Sequence, residues 1–371
     1  MNNSVLMVFS DLGLGGVQTK MISLANELVR RGIFCRILIQ SKNGFYRLEE
    51  LDRKVKVTCP LDMELFGKHP FWGWRFGVFV AIVSLLLRQQ SMVVSLAPLS
   101  VTLLKIYAFI APWMLSRVVV NEDTYPSLYY SGGHVHGATH ADIRTWYKKA
   151  QAVIAVSKST YADLSRVFKI PSPPLVYIPN WALSDNQKRS RRRPDRAIDV
   201  VYAGRFAKQK QPMVLARVLS EIVKTRPKTN IHIYADGPMK SEFIGELVRL
   251  KMKQKVRLYN PIARMEHILR NTKCLLITSQ FEGMPFIGLE AMACGAVMAG
   301  FDVPGVRDIV KDGETGVLAQ NQEELSDHVI KLLNHTKIRE DLARNARKRA
   351  ESEFSENNRD TLIDLLLEHK I

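Results

Sequence analysis

Cysteine is scarce in this sequence of 371 residues, and its placement argues against several classes of protein. The sequence contains no CxxC pair and no histidine at metal-ligand spacing, and its four widely scattered cysteines are Cys35, Cys59, Cys274 and Cys294. We therefore expect neither a disulfide framework nor a metal site of the usual spacing. A reduced compartment is the simpler interpretation.

Signals for export and for membrane spanning are also missing. The first ten residues lead into a glycine loop without a basic lead, an apolar core or a small-residue cleavage site. The longest apolar stretches, 76–87 and 99–115, fall short of the ~20 apolar residues that a spanning helix needs. The second stretch also contains Lys105. We expect a cytoplasmic chain, for which peripheral contact with the inner face of the membrane stays open.

Acidic residues are outnumbered by basic ones. The chain has 36 Asp and Glu against 53 Lys and Arg, which gives a formal net charge of +17. Such an excess attracts nucleic acid, acidic lipid headgroups or phosphorylated substrates, and charge alone does not choose between them. No RNA-recognition or helix-turn-helix signature accompanies the arginines at 191–193, so nucleic acid is not an expected partner. An anionic membrane surface remains a candidate partner.

The apolar pattern predicts an α/β protein with two domains. A strand at 4–10, a helix at 17–31 and a strand at 34–40 form a strand–helix–strand opening, which is typical of a parallel sheet. The alternation resumes in the second half of the chain. Further strands are predicted at 92–96, 117–121, 152–157, 176–178, 200–203, 231–235, 256–259, 274–278 and 296–299. We expect two Rossmann-like, doubly wound domains that face a central cleft at the carboxyl ends of both sheets.

The domain boundary is predicted from a change in composition. Residues 185–199 read DNQKRSRRRPDRAID and have no apolar periodicity, which is typical of a solvated linker. The predicted first Rossmann-like domain is 1–181, and a basic linker follows at 182–198. The second Rossmann-like domain is 199–353. A terminal helix at 354–371 returns to the first domain.

The most informative run is SQFEGMPFIGLEAMACG, at 279–295. It places Glu282 and Glu290 with seven residues between them, in a segment that lies between two predicted strands. A helix that begins near Pro285 would leave free N–H groups as an anion site, contributed by Phe286, Ile287 and Gly288. Glu290, one to two turns into that helix, is a candidate to accept hydrogen bonds from a ribose.

This run resembles the EX7E motif of the family-four retaining glycosyltransferases (glycosyl transferases group 1), and other segments match the same family in order. They are GLGGVQTKMISLANELVRRG (13–32), AVIAVSKSTYADL (152–164), VYIPNWA (176–182), VYAGRFAKQK (201–210), DGP (236–238) and DIVKDGETGVLA (308–319). The resemblance implies the GT-B fold. It implies an acceptor-binding first domain and a second domain that binds the nucleotide sugar.

The resemblance also implies roles for individual residues. Arg205 and Lys210 would bind the donor diphosphate and stabilise the charge that builds on it, and one such contact can be worth roughly 3 to 4 kcal/mol. Glu290 would hold the ribose hydroxyls, and Glu282 the hydroxyls of the transferred sugar. No metal ion is then obligatory, and no DxD pair is placed to bind one.

The first domain would contribute its glycine loop and a strand end. Gly15 and Gly16 would let the loop approach the diphosphate or the acceptor. Many family members have a histidine after the strand predicted at 117–121, and this chain has Asn121, Glu122 and Asp123 there instead. Glu122 is our candidate for that position, in contact with the donor sugar or the acceptor. Three downstream histidines are lower-ranked candidates: His134, His136 and His140.

Two mechanisms of retention stay open. The family is thought to use front-face attack, in which the departing phosphate oxygen takes the proton of the acceptor. The less favoured alternative makes Glu282 a covalent nucleophile, as in retaining glycoside hydrolases.

The sequence thus predicts a hexosyltransferase-type enzyme. Its donor is a nucleoside diphosphate sugar, with a UDP-sugar preferred, and its acceptor is a lipid-linked, polysaccharide or lipopolysaccharide precursor. The alternatives are a sugar-nucleotide epimerase or hydrolase on the same fold, and a non-catalytic basic module that binds membrane or nucleic acid. A nicotinamide oxidoreductase is poorly supported, because Gln18 stands at the sixth position of a GxGxxG pattern. The stretch 69–87 is either a buried helix or a membrane-facing one.

Overall fold

The computed structural model describes residues 4–41, 45–59, 78–83, 91–95, 97–131, 139–182 and 196–368. The chain divides into two compact units: the first is Met1–Asn180 with Asn357–Ile371, and the second is Trp181–Glu356. Several predictions lie outside the described residues. They concern His134, His136, the arginines at 191–193, nearly all of the linker, and most of the stretch 69–87.

The first unit is built on a seven-stranded sheet in which every pairing is parallel. In chain order, its strands are β1 Ser4–Phe9, β2 Phe34–Ile39, β3 Lys56–Thr58, β4 Ser91–Val94, β5 Val118–Glu122, β6 Ala152–Ala155 and β7 Leu175–Tyr177. Their spatial order is β3-β2-β1-β4-β5-β6-β7, so the direction of winding reverses where β1 meets β4. The central strands are apolar on both faces, as burial of both faces of a parallel sheet requires.

Helices connect these strands. They are α1 Gly16–Arg30, α2 Ala97–Ile110, α3 Pro126–Ser131, α4 His140–Trp146 and α5 Lys158–Arg166. Helix α1 ends next to Gly32, which has φ +77 and supplies the left-handed residue that stops the helix. Short 3₁₀ turns lie at Phe45–Glu50, Pro112–Arg117 and Tyr147–Lys149.

The terminal helix, Asn357–Leu367, belongs to the first unit although the second unit precedes it in the chain. It buries three apolar side chains: Leu362, Ile363 and Leu366. The Ser91 hydroxyl donates to the Leu366 carbonyl, and the Gln151 amide donates to the Leu365 carbonyl at 3.1 Å. Arg31, at the end of α1, forms an ion pair with Asp360 at 2.5 Å. These contacts join the helix to the amino ends of β4 and β6 and to the end of α1.

The second unit has a six-stranded parallel sheet in the order β10-β9-β8-β11-β12-β13. The strands are β8 Ile198–Arg205, β9 Ile231–Asp236, β10 Val256–Tyr259, β11 Thr272–Ile277, β12 Val297–Phe301 and β13 Gly316–Ala319. The helices are α6 Pro212–Thr225, α7 Lys240–Arg249, α8 Glu266–Arg270, α9 Phe286–Cys294, α10 Val306–Ile309, α11 Gln322–Asn334 and α12 Thr336–Glu353, with a 3₁₀ turn at Lys208–Lys210.

The predicted α/β class, with two doubly wound parallel sheets, is confirmed. Each sheet has its own apolar core, formed by the strands and the helices that cover them. The sequence pattern missed two edge strands, β3 and β13. Among the described helices, none combines the length and the apolar character needed to cross a bilayer.

Candidate functional site

Charged side chains of the second unit gather at the carboxyl edge of its sheet. Arg205 is the last residue of β8 and is exposed, and it lies in register with Asp236, the last residue of β9. Residues 278–285 follow β11 and lead into α9. Parallel strands bring their carboxyl ends to the same edge, which is where open α/β sheets bind ligands. The sequence-predicted residues Arg205, Lys210, Glu282 and Glu290 are all carried by segments that leave this edge.

Lys210 and Glu282 form an ion pair at this edge. The distance from Lys210 Nζ to Glu282 Oε1 is 2.5 Å, and the two side chains are 25% and 9% exposed. The Ser279 hydroxyl donates to the same carboxylate oxygen at 2.6 Å. The structure therefore brings together two residues that lie 72 positions apart in the sequence. The Lys210 side chain is the more exposed member of the pair.

Hydrogen bonds join the turn at 208–210 to the loop after β11. The Thr278 hydroxyl donates to the Lys210 carbonyl at 2.8 Å. The backbone N–H of Gln280 donates to the Gln209 carbonyl at 2.8 Å, and the Gln209 side-chain amide donates to the Phe281 carbonyl at 2.8 Å. These hydrogen bonds join the two segments and hold the Lys210 backbone against the loop that carries Glu282.

Two glycines allow close backbone packing at the edge. Gly305 has φ +81, and a Cβ there would overlap the Glu282 carbonyl. The Glu282 N–H donates to the Pro304 carbonyl at 2.9 Å, so the residues before α10 form the floor under Glu282. Gly237 has φ +146, and a Cβ there would lie 2.6 Å from the carbonyl oxygen of Phe206, next to Arg205. The sequence prediction quoted DGP but gave neither glycine a role.

The amino terminus of α9 differs slightly from the prediction. Pro285 is the cap, with φ −70 and ψ 115, and the first helical residue is Phe286. The Gly288 N–H donates to the Pro285 carbonyl at 3.0 Å, so it is already used inside the helix. Among the described residues, no acceptor lies within hydrogen-bond reach of the N–H groups of Phe286 and Ile287. The predicted anion site therefore keeps two of its three amides.

Gly288 instead serves the packing of α9. A Cβ there would lie 2.5 Å from Ile309 Cδ1 and 2.8 Å from Met298 Sδ. The helix thus rests directly on β12 and α10. Glu290 lies two residues further along and is half-buried. The close packing of Gly288 fixes the distance between the sheet and the first turn of α9. This distance also sets the position of Glu290.

In the first unit, the glycine loop follows β1. Gly15 caps α1 in an extended conformation, φ −179, that any residue can adopt, and it is exposed. Gly16 is the first helical residue. The Asp11 carboxylate accepts hydrogen bonds from the Gly13 N–H at 2.7 Å and from the Gln18 amide at 3.1 Å, which holds the loop. At Gly15 the exposed backbone, not backbone strain, is what a ligand could use.

Lys20 is a buried cation that the sequence prediction missed. It lies on α1, is 1% exposed, and donates to Asn121 Oδ1 at 2.7 Å and to Asp123 Oδ1 at 3.3 Å. Asn121 also donates to the Ser95 hydroxyl at 3.1 Å and to Asp123. Burial lowers the pKa of the Lys20 amine, and the charge of Asp123 opposes this shift. This cluster connects α1 to the carboxyl ends of β4 and β5.

Glu122 is not placed to touch a substrate. Its side chain is 3% exposed, and both carboxylate oxygens accept hydrogen bonds from hydroxyls. The donors are Thr124 at 2.7 Å, Tyr147 at 3.1 Å, and Tyr130 at 3.2 Å to each oxygen. Burial raises the pKa of Glu122 to about 7, and these hydroxyls act in the opposite direction. The geometry does not support the expected contact with donor sugar or acceptor, because the carboxyl points into the core.

His140, the described member of the three histidines, packs its ring edge-on against the buried Phe168 at 5.0 Å. This contact favours a structural role. Among the described residues, no group of three His, Cys, Asp or Glu side chains is placed to hold a metal ion.

Two family models match the chain. The model described as glycosyl transferases group 1 matches residues 184–349, and the model described as glycosyltransferase family 4 matches residues 14–182. Together they cover most of the sequence. Alpha-D-kanosaminyltransferase from Streptomyces kanamyceticus is 23% identical over 214 residues, which are 54% of this chain and 55% of that protein. The chain spans about half or less of the length of the curated relatives it matches.

Solved structures share the fold over nearly the whole chain. WaaG, a glycosyltransferase involved in lipopolysaccharide biosynthesis, has a TM-score of 0.79 at 15% identity and covers 98% of this chain and 99% of its own. HepE from Anabaena, in complex with UDP and glucose, has a TM-score of 0.74 at 17% identity and covers 99% of each chain. These likenesses confirm the predicted GT-B fold.

Gly305→Ala should loosen the loop that carries Glu282. The new Cβ adds left-handed strain and also overlaps the Glu282 carbonyl, whereas Gly313→Ala adds only the strain, since its φ is +69 and no atom lies near its Cβ. The strain alone costs about 1 to 2 kcal/mol. We expect faster amide exchange in peptides covering 278–284 for Gly305→Ala only. Equal exchange in the two variants would contradict the packing role of Gly305.

Glu122 should make stability depend on pH. Its pKa rises from an ordinary 4.5 to about 7 on folding, so between these values the folded state binds more protons than the unfolded state. Stability should therefore fall as pH rises from 4.5 to 7, by up to about 3 kcal/mol. Urea unfolding across this range measures the slope. Glu122→Gln should flatten it, and an unchanged slope in that variant would assign the effect to another group.

Proposed function

Because the chain belongs to glycosyltransferase family 4, we propose that it is a retaining enzyme of the hexosyltransferase type. It transfers a sugar from a nucleoside diphosphate sugar, with a UDP-sugar as the first candidate, to a lipid-linked, polysaccharide or lipopolysaccharide precursor. The observation that carries this proposal is the ion pair between Lys210 and Glu282. It lies at the sheet edge where β8 ends in Arg205. The pair places a cation that can bind a phosphate next to a carboxylate that can accept hydrogen bonds from sugar hydroxyls.

The second unit binds the donor in this proposal. Arg205 and Lys210 contact the diphosphate, and the N–H groups of Phe286 and Ile287 add the positive end of the α9 dipole. Glu290 accepts hydrogen bonds from the ribose. The complex of HepE with UDP and glucose supports this choice of donor, since that protein shares the fold.

The chemistry needs cations more than a nucleophile. As the bond from the anomeric carbon to the phosphate oxygen breaks, negative charge grows on the leaving phosphate, and Arg205 and Lys210 stabilise it. The acceptor hydroxyl oxygen forms the new bond to the anomeric carbon on the same face, and the leaving phosphate oxygen takes the proton of that hydroxyl. No obligatory metal ion is required, because the two side chains supply the positive charge.

Glu282 is better suited to hold the sugar than to attack it. One of its oxygens already accepts from Lys210 and Ser279. When Lys210 contacts the diphosphate, the Ser279 hydroxyl still donates to this oxygen, and the other oxygen can accept from a sugar hydroxyl. A carboxylate used for hydrogen bonds in this way supports front-face attack over a covalent intermediate.

The first unit binds the acceptor in this proposal. The exposed backbone of Gly15, with the half-buried Gly16 beside it, offers close approach, and the cluster of Lys20, Asn121 and Asp123 lies at the same sheet edge. The fold shared with WaaG, which is involved in lipopolysaccharide biosynthesis, supports a glycan or glycolipid acceptor. We place the enzyme in the cytoplasm, and the net charge of +17 supports peripheral contact with an anionic membrane surface.

A sugar-nucleotide epimerase or hydrolase on the same fold is the second candidate. Its donor site would be the same, so binding experiments do not separate it from a transferase. Release of free sugar at full rate without any acceptor would favour hydrolysis, and a changed sugar on the nucleotide would favour epimerisation.

Arg205→Ala and Lys210→Ala should each lower turnover about tenfold or more, because each removes a cation from the leaving phosphate. Turnover is measured as release of the nucleoside diphosphate, and urea unfolding checks that the fold is kept. Lys208→Ala is the matched control, since Lys208 is exposed in the same turn and has no proposed role. Wild-type turnover in both site variants would refute the assignment.

Glu290→Ala should weaken binding of the bare nucleoside diphosphate, because it removes the acceptor for the ribose hydroxyls. A thermal-shift screen against UDP, GDP, ADP and their common sugar conjugates first identifies the nucleotide, since a ligand of the native state raises the melting temperature. Calorimetry with that nucleotide then compares the variant with wild type. Unchanged affinity would remove Glu290 from the ribose role, and a wild-type protein that binds no nucleotide would contradict the donor site itself.

A further inference from the structure

A single oxygen of Glu282 is shared by two donors of different kinds. Oε1 accepts from Lys210 Nζ at 2.5 Å and from the Ser279 hydroxyl at 2.6 Å. Lys210 has a long side chain that is one quarter exposed, whereas Ser279 is buried at 3% exposure. One donor can therefore turn to a new partner, and the other stays in place.

A diphosphate group competes with Glu282 for Lys210. It brings more negative charge than one carboxylate, so the amine turns toward it when the donor binds. Glu282 is itself buried, and a buried carboxylate without hydrogen bonds is costly. The Ser279 hydroxyl then remains as its hydrogen-bond donor from the loop. It keeps Oε1 in place, so the other oxygen can accept from a hydroxyl of the ligand.

A second hydroxyl, that of Thr278, holds Lys210, the other member of the ion pair. Thr278 is fully buried and donates to the Lys210 carbonyl. Gln211, the residue after Lys210, has φ +50 and ψ 58. This left-handed conformation costs a non-glycine residue about 1 kcal/mol or more. Such a turn persists only where its surroundings hold it. The hydrogen bond from the Thr278 hydroxyl fixes the Lys210 carbonyl, which lies immediately before Gln211 in the chain.

We propose that Ser279 and Thr278 are positioning residues with separate duties: Ser279 holds Glu282 on the hydroxyls of the transferred sugar, and Thr278 holds Lys210 on the diphosphate. The proposal rests on the proposed function and deepens it. Adjacent residues at the end of β11 would thus control recognition of the two halves of the donor independently.

The experiment removes one hydroxyl at a time. Ser279→Ala and Thr278→Val are made in the full chain, and calorimetry compares the bare nucleoside diphosphate with its sugar conjugate, chosen among UDP, GDP and ADP by thermal shift. Ser326→Ala is the matched control, since its buried hydroxyl bonds within α11 to the Gln322 carbonyl. Melting temperatures report any general loss of stability.

Ser279→Ala should leave the affinity for the bare nucleotide within about twofold and weaken the sugar conjugate about tenfold, the worth of one hydrogen bond to a charged group. Its kcat should fall by a similar factor. Thr278→Val should weaken both ligands equally, by about fivefold, since a neutral hydrogen bond is worth less. Ser326→Ala should change neither affinity.

A merely structural role for Ser279 would weaken both ligands together, and that result would overturn the proposal. Unchanged affinities in Ser279→Ala, with normal binding by wild type, would overturn the proposal and leave the proposed function standing. If wild type binds none of the nucleotides, the proposed function fails and this inference fails with it.

Discussion

Parallel pairing of the strands is the constraint on which the rest of each unit depends. Because all strands of a sheet run the same way, every loop that leaves a carboxyl end emerges at one edge. In the second unit this rule collects the end of β8, the turn at 208–210 and the loop after β11. Residues separated by more than 70 positions then form one ion pair. In the first unit the same rule places Asn121 beside Ser95 and within reach of Lys20.

Sequence patterns predicted the residues whose spacing is local, and missed those whose partners are distant. The EX7E run and the segment with Arg205 and Lys210 are short motifs, so their residues could be selected directly. Lys20 looks like a surface residue of an amphipathic helix, and its partner Asn121 lies 101 positions away. Gly305 and Ser279 matter through contacts with Glu282 that only the folded chain shows. The predicted bounds of the central strands were close for the same reason, since their apolar runs are local.

The position predicted for Glu122 differs from the observed one for a simple geometric reason. The sequence predicted that β5 ends at Asn121, which left Glu122 in a loop at the site. The strand continues through Glu122, which pairs in register with Ala155. Side chains alternate between the faces of a strand, so one added residue turns the carboxyl inward, away from the face that carries Asn121. There it meets Thr124, Tyr130 and Tyr147, and its raised pKa is the electrostatic cost of that position.

The return of the terminal helix affects how the chain can assemble. In terms of connectivity, the second unit is an insertion within the first, which is complete only when residues 357–371 are present. A ribosome therefore delivers all of the second unit before the last helix of the first. The nascent first unit must wait with the surface for Leu362, Ile363 and Leu366 uncovered, at a stage when exposed apolar surface favours aggregation. The unit that begins second can thus finish folding first, and the helix Asn357–Leu367 then packs onto a sheet that was translated before it.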